Sequence, residues 1–172
     1  IPFTEVRTVI ESELKRPLEE CFASVAEIPL GSASIAQVHP AILLDGRPVV
    51  LKVQRPGIEQ IVRTDLQIMA QLAGLLENYV EGWKIHRPTA IVAEFAKRLE
   101  QELDFNAEAA HLERFAHQFA GEPTLYVPKL YRATSTQRLL TMEHIEAIKA
   151  SRLAELDAAE LDRREIATRI AD

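Results

Sequence analysis

A lysine in the middle of an apolar strand loses hydration unless an anion meets it. Val49-Val50-Leu51-Lys52-Val53 is such a segment. The two-residue period of a strand puts Val50 and Lys52 on one face and Val49, Leu51 and Val53 on the other. Upstream, Pro29-Leu30-Gly31-Ser32-Ala33-Ser34-Ile35-Ala36-Gln37-Val38 is a run of small residues entering a strand, and small side chains let backbone N–H groups approach phosphate oxygens. Downstream, Glu102, Asp104 and Glu108 lie in a Glu-rich helical stretch and are candidate partners for the amine. Together these residues could hold a polyphosphate under a loop, with a carboxylate orienting the lysine. Each has an ordinary alternative: a small-residue turn, an edge-strand lysine that blunts aggregation, and a solvated acidic helix face.

The elements that must position these groups follow from periodicity. Residues 3–24 read as a helix carrying Val6, Val9, Ile10 and Leu14 on one stripe, with a break at Pro17 and a further apolar turn through Leu18, Phe22 and Val25. Residues 35–39 and 48–53 read as strands joined by Leu44-Asp45-Gly46-Arg47, in which the Asp-Gly pair is expected to supply the positive φ angles of a tight hairpin. Arg55-Pro56-Gly57 stops the second strand, and helical spacing returns over 58–79 and, as one long helix, over 89–119. Strand-like runs follow at 126–133 and 138–145, and a charged helical tail over 151–172 has Leu153, Leu156, Leu161, Ile166 and Ile170 as its apolar residues. Strands joined by hairpins with helices to one side predict an α+β fold rather than a doubly wound parallel sheet.

Composition narrows the function classes. The chain has 172 residues, 47% hydrophobic and 27% charged, a balance that excludes disorder. A net charge of −6 lacks the basic footprint of a nucleic-acid binder. Cys21 is the single cysteine, which excludes an internal disulfide and a Cys-rich zinc site, and on its apolar turn it reads as core packing. No run reaches the roughly 18 apolar residues of a membrane span, and the first residues lack a secretory core. A reduced, soluble, intracellular domain is expected. His111 and His117 are about 240° apart on a helix, so a shared metal is not expected.

The loop, the hairpin and the lysine occur in the order of the kinase pattern G-x-G-x-x-G-x-V followed by V-A-I-K. Gly31, Ala33, Ala36 and Val38 fill the loop slots, and Lys52 lies fourteen residues after Val38. PLGSASIAQVH, DGRPVVLKVQRPGI and Asp65-Leu66, with the segment from Gln101 to Ala110, VPKLY and LLTMEHIEAIK, resemble the UbiB/AarF family of atypical protein-kinase-like proteins over about residues 1–148. The resemblance implies a kinase-like small lobe over 25–145 with inserted helices, preceded by a helical extension over 1–24. It also implies a hinge exit and the first helix of a truncated large lobe over 146–172.

It implies roles as well. Gly31, Ser32, Ala33 and Ser34 match the family's alanine-rich loop, with Gly31 standing where alanine is frequent. Lys52 matches the phosphate-contacting lysine and Glu108 its helix partner, with Glu102 as the alternative. Glu102 and Asp104 match the E-x-D pair. Met142, Glu143 and Ile145 match the hinge, where the backbone of Glu143 and Ile145 would bond adenine, and Val38 and Val50 would sandwich its ring. Glu102 and Glu108 are about 240° apart on one helix, so at most one is the primary partner of Lys52. Glu102 and Asp104, 200° apart, would need a helix start or distortion to serve one site.

No D-F-G, H-R-D or H-x-D-x-H-P-G-N occurs in the chain, so catalytic-loop and metal-binding motifs and the family's K-x-G-Q segment are expected outside it. The implied ligand is ATP, with magnesium held only in a complete protein. The implied context is ubiquinone (isoprenoid quinone) biosynthesis on the cytoplasmic side of a membrane, with lipid or quinone-biosynthesis proteins as partners and any anchor outside this chain. A non-catalytic, pseudokinase-like binding module is the alternative, favoured by the two loop alanines and disfavoured by a paired Lys52.

Overall fold

A computed structural model describes residues 1–171; the side chains of Arg169, Ile170 and Ala171, and all of Asp172, lie outside the described residues. In chain order, helix α1 (Phe3–Leu14) precedes strands β1 (Phe22–Val25), β2 (Gly31–Ser32), β3 (Ala36–Leu43) and β4 (Pro48–Gln54). Helices α2 (Ile58–Tyr79), α3 (Pro88–Glu102) and α4 (Phe105–Gln118) follow, then strand β5 (Leu139–Glu143) and the short helices α5 (Leu153–Ala158) and α6 (Arg163–Ala171). The sheet runs β1-β3-β4-β5 with β2 alongside β3, and the strand pairings are antiparallel. This is the α+β, kinase-like small-lobe architecture that the sequence predicts.

The hairpin of β3 and β4 organises the rest. Its turn closes through Gly46 N–H to Leu43 O at 2.9 Å and Leu43 N–H to Arg47 O at 2.9 Å. Only Gly46 takes a positive φ, of 86°; Asp45 does not. The turn is therefore a three-residue loop with one left-handed residue, rather than a pair of them. Alternation sorts β4 as expected: Val49, Leu51 and Val53 are fully buried and join Leu139, Phe22 and the α1 residues Val6, Val9 and Ile10 in one core. Cys21 packs in the same cluster with its thiol free.

Three local expectations are corrected. The helix read over 3–24 ends at Leu14, where Lys15 turns left-handed at φ 56°. Pro17 has no N–H for a continuing ladder; after a single 3₁₀ turn at Leu18–Glu20 the chain becomes β1 rather than a second helical segment. The strand read over 126–133 is an isolated bridge, Leu130 to Met142, followed by a 3₁₀ turn at Arg132–Thr134. Pro128 cannot donate to a ladder, and the segment is tied to β5 by Tyr131 N–H to Thr141 O and Glu143 N–H to Lys129 O, at 2.9 and 2.8 Å. The charged tail forms two short helices rather than one.

The last correction bears on the site. The helix read over 89–119 is two helices, interrupted at Leu103 and Asp104. Asp104 is extended (φ −102°, ψ 97°) and caps α4, accepting a bond from Asn106 N–H at 2.9 Å. The elbow is held from the sheet side: Gln54, fully buried, donates to Leu103 O at 2.8 Å, and Phe105 N–H donates to Gln137 O at 2.9 Å. Helices α2 and α3 pack against each other and leave Ile68, Leu72, Leu75, Ile91 and Phe95 exposed.

Candidate functional site

The face of the sheet opposite the α1 core carries the site. Register pairs Val38 with Lys52, Lys52 with Leu140, and Val50 with Met142, so Val38, Val50, Lys52 and Met142 share one face. Helix α4 covers part of it. Phe105 and Ala109, buried to 0% and 1% exposure, pack with Ala36 and Leu140. Glu108 lies on the same helical stripe, three residues after Phe105. Its carboxylate thereby reaches the sheet: Lys52 Nζ lies 2.5 Å from Glu108 Oε2, across 56 residues of sequence.

Lys52 Nζ also sits 4.8 Å from the centroid of the Phe105 ring, a cation–π contact. The two charged side chains keep 23% and 39% of their exposure, so the pair is sheltered yet open to a ligand. Beside it is a cleft of about 590 Å³ whose walls include Lys52, Arg98, Glu102, Glu108 and His111.

Glu108, not Glu102, is the partner of Lys52. Glu102 is the last residue of α3 and lines the same cleft. Because the elbow separates the two glutamates, the 240° estimate for a single helix does not apply to them. The distortion that the E-x-D spacing demanded is this elbow, and Asp104 serves it as the α4 cap. Val38 and Val50 project from one sheet face, so they can cover one side of a flat ring and cannot enclose it between them. A second, more apolar hollow of about 380 Å³ adjoins the site between α4 and Met142, lined among others by Leu112, Phe115, Val127 and Pro128.

The small-residue loop is exposed and lies at the end of β3. Gly31 and Ser32 form β2 against Val38 and Gln37, and Ala33 N–H donates to Ala36 O at 2.9 Å. None of residues 31–36 has a positive φ, and a Cβ added at Gly31 would meet open space. Alanines in the glycine slots are therefore compatible with this backbone. At the other end, Met142 and Glu143 close β5, and Ile145 follows it, partly exposed.

Sequence reasoning missed Gln54, Arg55 and the side-chain bonds of Glu143. Gln54 holds the elbow, as described. Arg55 binds the loop, with Nε 2.9 Å from Ala33 O and Nη2 2.8 Å from Ser32 Oγ. The Glu143 carboxylate accepts from Tyr126 Oη at 2.8 and 2.7 Å and from Lys129 N–H at 3.1 Å. The tyrosine hydroxyl, then the Lys129 amide, hold this carboxyl below its ordinary 4.5. The same bond raises the Tyr126 phenol above its ordinary value. The signal available in sequence was position alone: Gln54 ends the strand bearing Lys52 and Arg55 directly follows it.

A family model of the ABC1 atypical kinase-like domain matches residues 1–172. The chain belongs to that family. It is 38% identical over 167 residues to a probable protein kinase UbiB of Marinobacter nauticus, covering 96% of this chain and 30% of the relative. It is 39% identical over 171 residues to a probable protein kinase UbiB of Cellvibrio japonicus, covering 98% and 31%. The solved complex of Rv3197 with erythromycin from Mycobacterium tuberculosis superposes with a TM-score of 0.76 at 32% identity, over 90% of this chain and 38% of that one. The chain thus spans about 30% of the length of these curated relatives. Among the described residues, no group of three or more His, Cys, Asp and Glu could hold a metal, and no helix is long and apolar enough to cross a membrane.

Proposed function

We propose that this ABC1 segment supplies the nucleotide-holding half of an ATP-binding kinase-like enzyme. The observation that carries the reading is the Lys52–Glu108 ion pair at the edge of an open cleft. A lysine so placed can take phosphate oxygens as further acceptors, since an ammonium has three donors, while Glu108 fixes its direction. Val38 and Val50 would cover one side of the adenine. Glu143 N–H is already given to Lys129 O, so an adenine edge would find the Glu143 carbonyl and the Ile145 backbone. The residues present therefore suit a nucleotide. Magnesium, which neutralises charge between phosphates in kinases, would be held by residues outside this segment, as would the group that activates an acceptor.

The names of the relatives, probable protein kinases UbiB, support kinase-like chemistry and a link to ubiquinone biosynthesis for the whole protein. In that protein Lys52 orients phosphates, Glu108 orients Lys52, and the loop at 31–34 covers the nucleotide. The test is an ATP titration of the full-length protein and of the 1–172 segment. Binding by both, weaker in the segment, with turnover by the full-length protein alone, is the expected result. Robust magnesium-dependent hydrolysis by the segment would contradict the division of labour.

A second reading, a binding module without chemistry, is favoured by Ala33 and Ala36 in two of the three glycine slots of the loop. ATP binding without phosphate release by the full-length protein would select it.

A further inference from the structure

The tip of the loop, residues 31–34, has almost nothing beneath it, whereas Ile35 and Ala36 pack with Phe105, Ala109 and Leu140. Residues 31–34 are exposed, and no atom lies within 4 Å of a Cβ built at Gly31. Burial therefore cannot fix the shape of the tip. With no positive φ it also lacks the αR–αL pairs from which anion-binding nests are built. Pairing of β2 with β3 and the bond from Ala33 N–H to Ala36 O hold its amides; something further must hold the Ser32 hydroxyl and the Ala33 carbonyl.

That something is one side chain. Arg55 follows β4 directly, three residues after Lys52, and its backbone N–H donates to Ile35 O at 2.9 Å. The guanidinium donates to Ala33 O at 2.9 Å through Nε and to Ser32 Oγ at 2.8 Å through Nη2. Ser32 Oγ is also 3.4 Å from Gln37 Nε2, so the hydroxyl joins Arg55 to β3. One residue thus binds three of the four positions from Ser32 to Ile35 and ties them to the strand that carries Lys52. A planar fork is suited to two acceptors at fixed spacing in a way a lysine is not.

We propose that Arg55 is the latch of the nucleotide loop: its two-pronged grip on Ala33 O and Ser32 Oγ, rather than glycine geometry or core packing, sets the loop over the phosphates held by Lys52. Arg55 is a positioning residue, since it acts through the loop backbone. The nucleotide half of this statement rests on the proposed ATP site; the latch itself does not.

The experiment separates the two. Amide hydrogen exchange of the full-length protein is measured without nucleotide for wild type, Arg55→Ala, Arg55→Lys and Ser32→Ala, together with melting temperature. ATP and adenosine are then titrated into each. Arg55→Ala is expected to speed exchange at Ala33 at least tenfold relative to the 41–51 hairpin, with melting temperature held. Arg55→Lys and Ser32→Ala should give smaller increases, each keeping one prong. ATP affinity should fall about tenfold in Arg55→Ala, with adenosine binding unchanged, because the loop serves the phosphates. Unchanged loop exchange in Arg55→Ala overturns the latch whatever the nucleotide result. Faster exchange with ATP affinity equal to that of a wild type that binds ATP overturns its role in binding. A wild type that binds neither ligand overturns the proposed ATP site, while faster exchange would still support the latch.

Discussion

The two faces of β4 divide the work of the molecule. On one, Val49, Leu51 and Val53 are fully buried beneath α1 and its neighbours. On the other, Val50 is nearly buried but Lys52 keeps 23% exposure beside a cleft. The residues alternate along a single strand, so any shift of register by one would put the lysine into the core. The sealed face holds the strand in place so that the open face can carry a charge. A sheltered ion pair is weak evidence for stability, so this one bears more on the proposed role of the amine than on the fold.

Mutations on the two faces should therefore fail differently. The largest effect is expected on the sealed side: Leu51→Ala should lower unfolding free energy by about 2–5 kcal/mol, measured in urea, through lost burial and a residual cavity. If its stability loss were no larger than that of Lys52→Ala, the contrast between the faces would collapse. Gln54→Leu comes next. It leaves the buried Leu103 carbonyl without its donor and should cost about 1–3 kcal/mol. It should also loosen the α3–α4 elbow, seen as faster amide exchange at Phe105 and Asn106.

The smallest effect is expected at the end of β5. Glu143 has its carboxyl held below the ordinary 4.5, so its contribution is complete above that value and is lost as pH falls through the lower folded value. Amide exchange over 126–131, corrected for intrinsic rates, should show protection constant from pH 7 to about 5 and falling below about 4.5. Tyr126→Phe should flatten that profile without moving the melting temperature appreciably, because Tyr126 is an exposed residue.

Much of this was legible in the residues. The alternation in 49–53 placed Lys52 opposite the core, and the loop–hairpin–lysine order identified the sheet. Glu108 could be favoured as the partner but not separated from Glu102 by spacing. The α3–α4 elbow was hidden because the apolar stripe runs on through Leu99, Leu103 and Ala109. The break is imposed by Gln54 and Gln137, groups far away in sequence. Strand β1 was hidden for a related reason: Phe22 and Val25 stand three apart, a spacing that also fits a helix turn, and only pairing with β3 decides between them. Arg55 read as the end of a strand, because a bond to a backbone carbonyl leaves no mark on composition.

The central claim is that Lys52, held by Glu108, is the phosphate ligand of this face. Calorimetric titration of ATP into full-length wild type and Lys52→Ala, at matched thermal stability, tests it most directly. A charge-assisted bond of about 1.5–3 kcal/mol predicts a loss of about 10- to 100-fold in affinity for ATP, with adenosine unaffected. Equal ATP affinity in the two proteins would contradict the account.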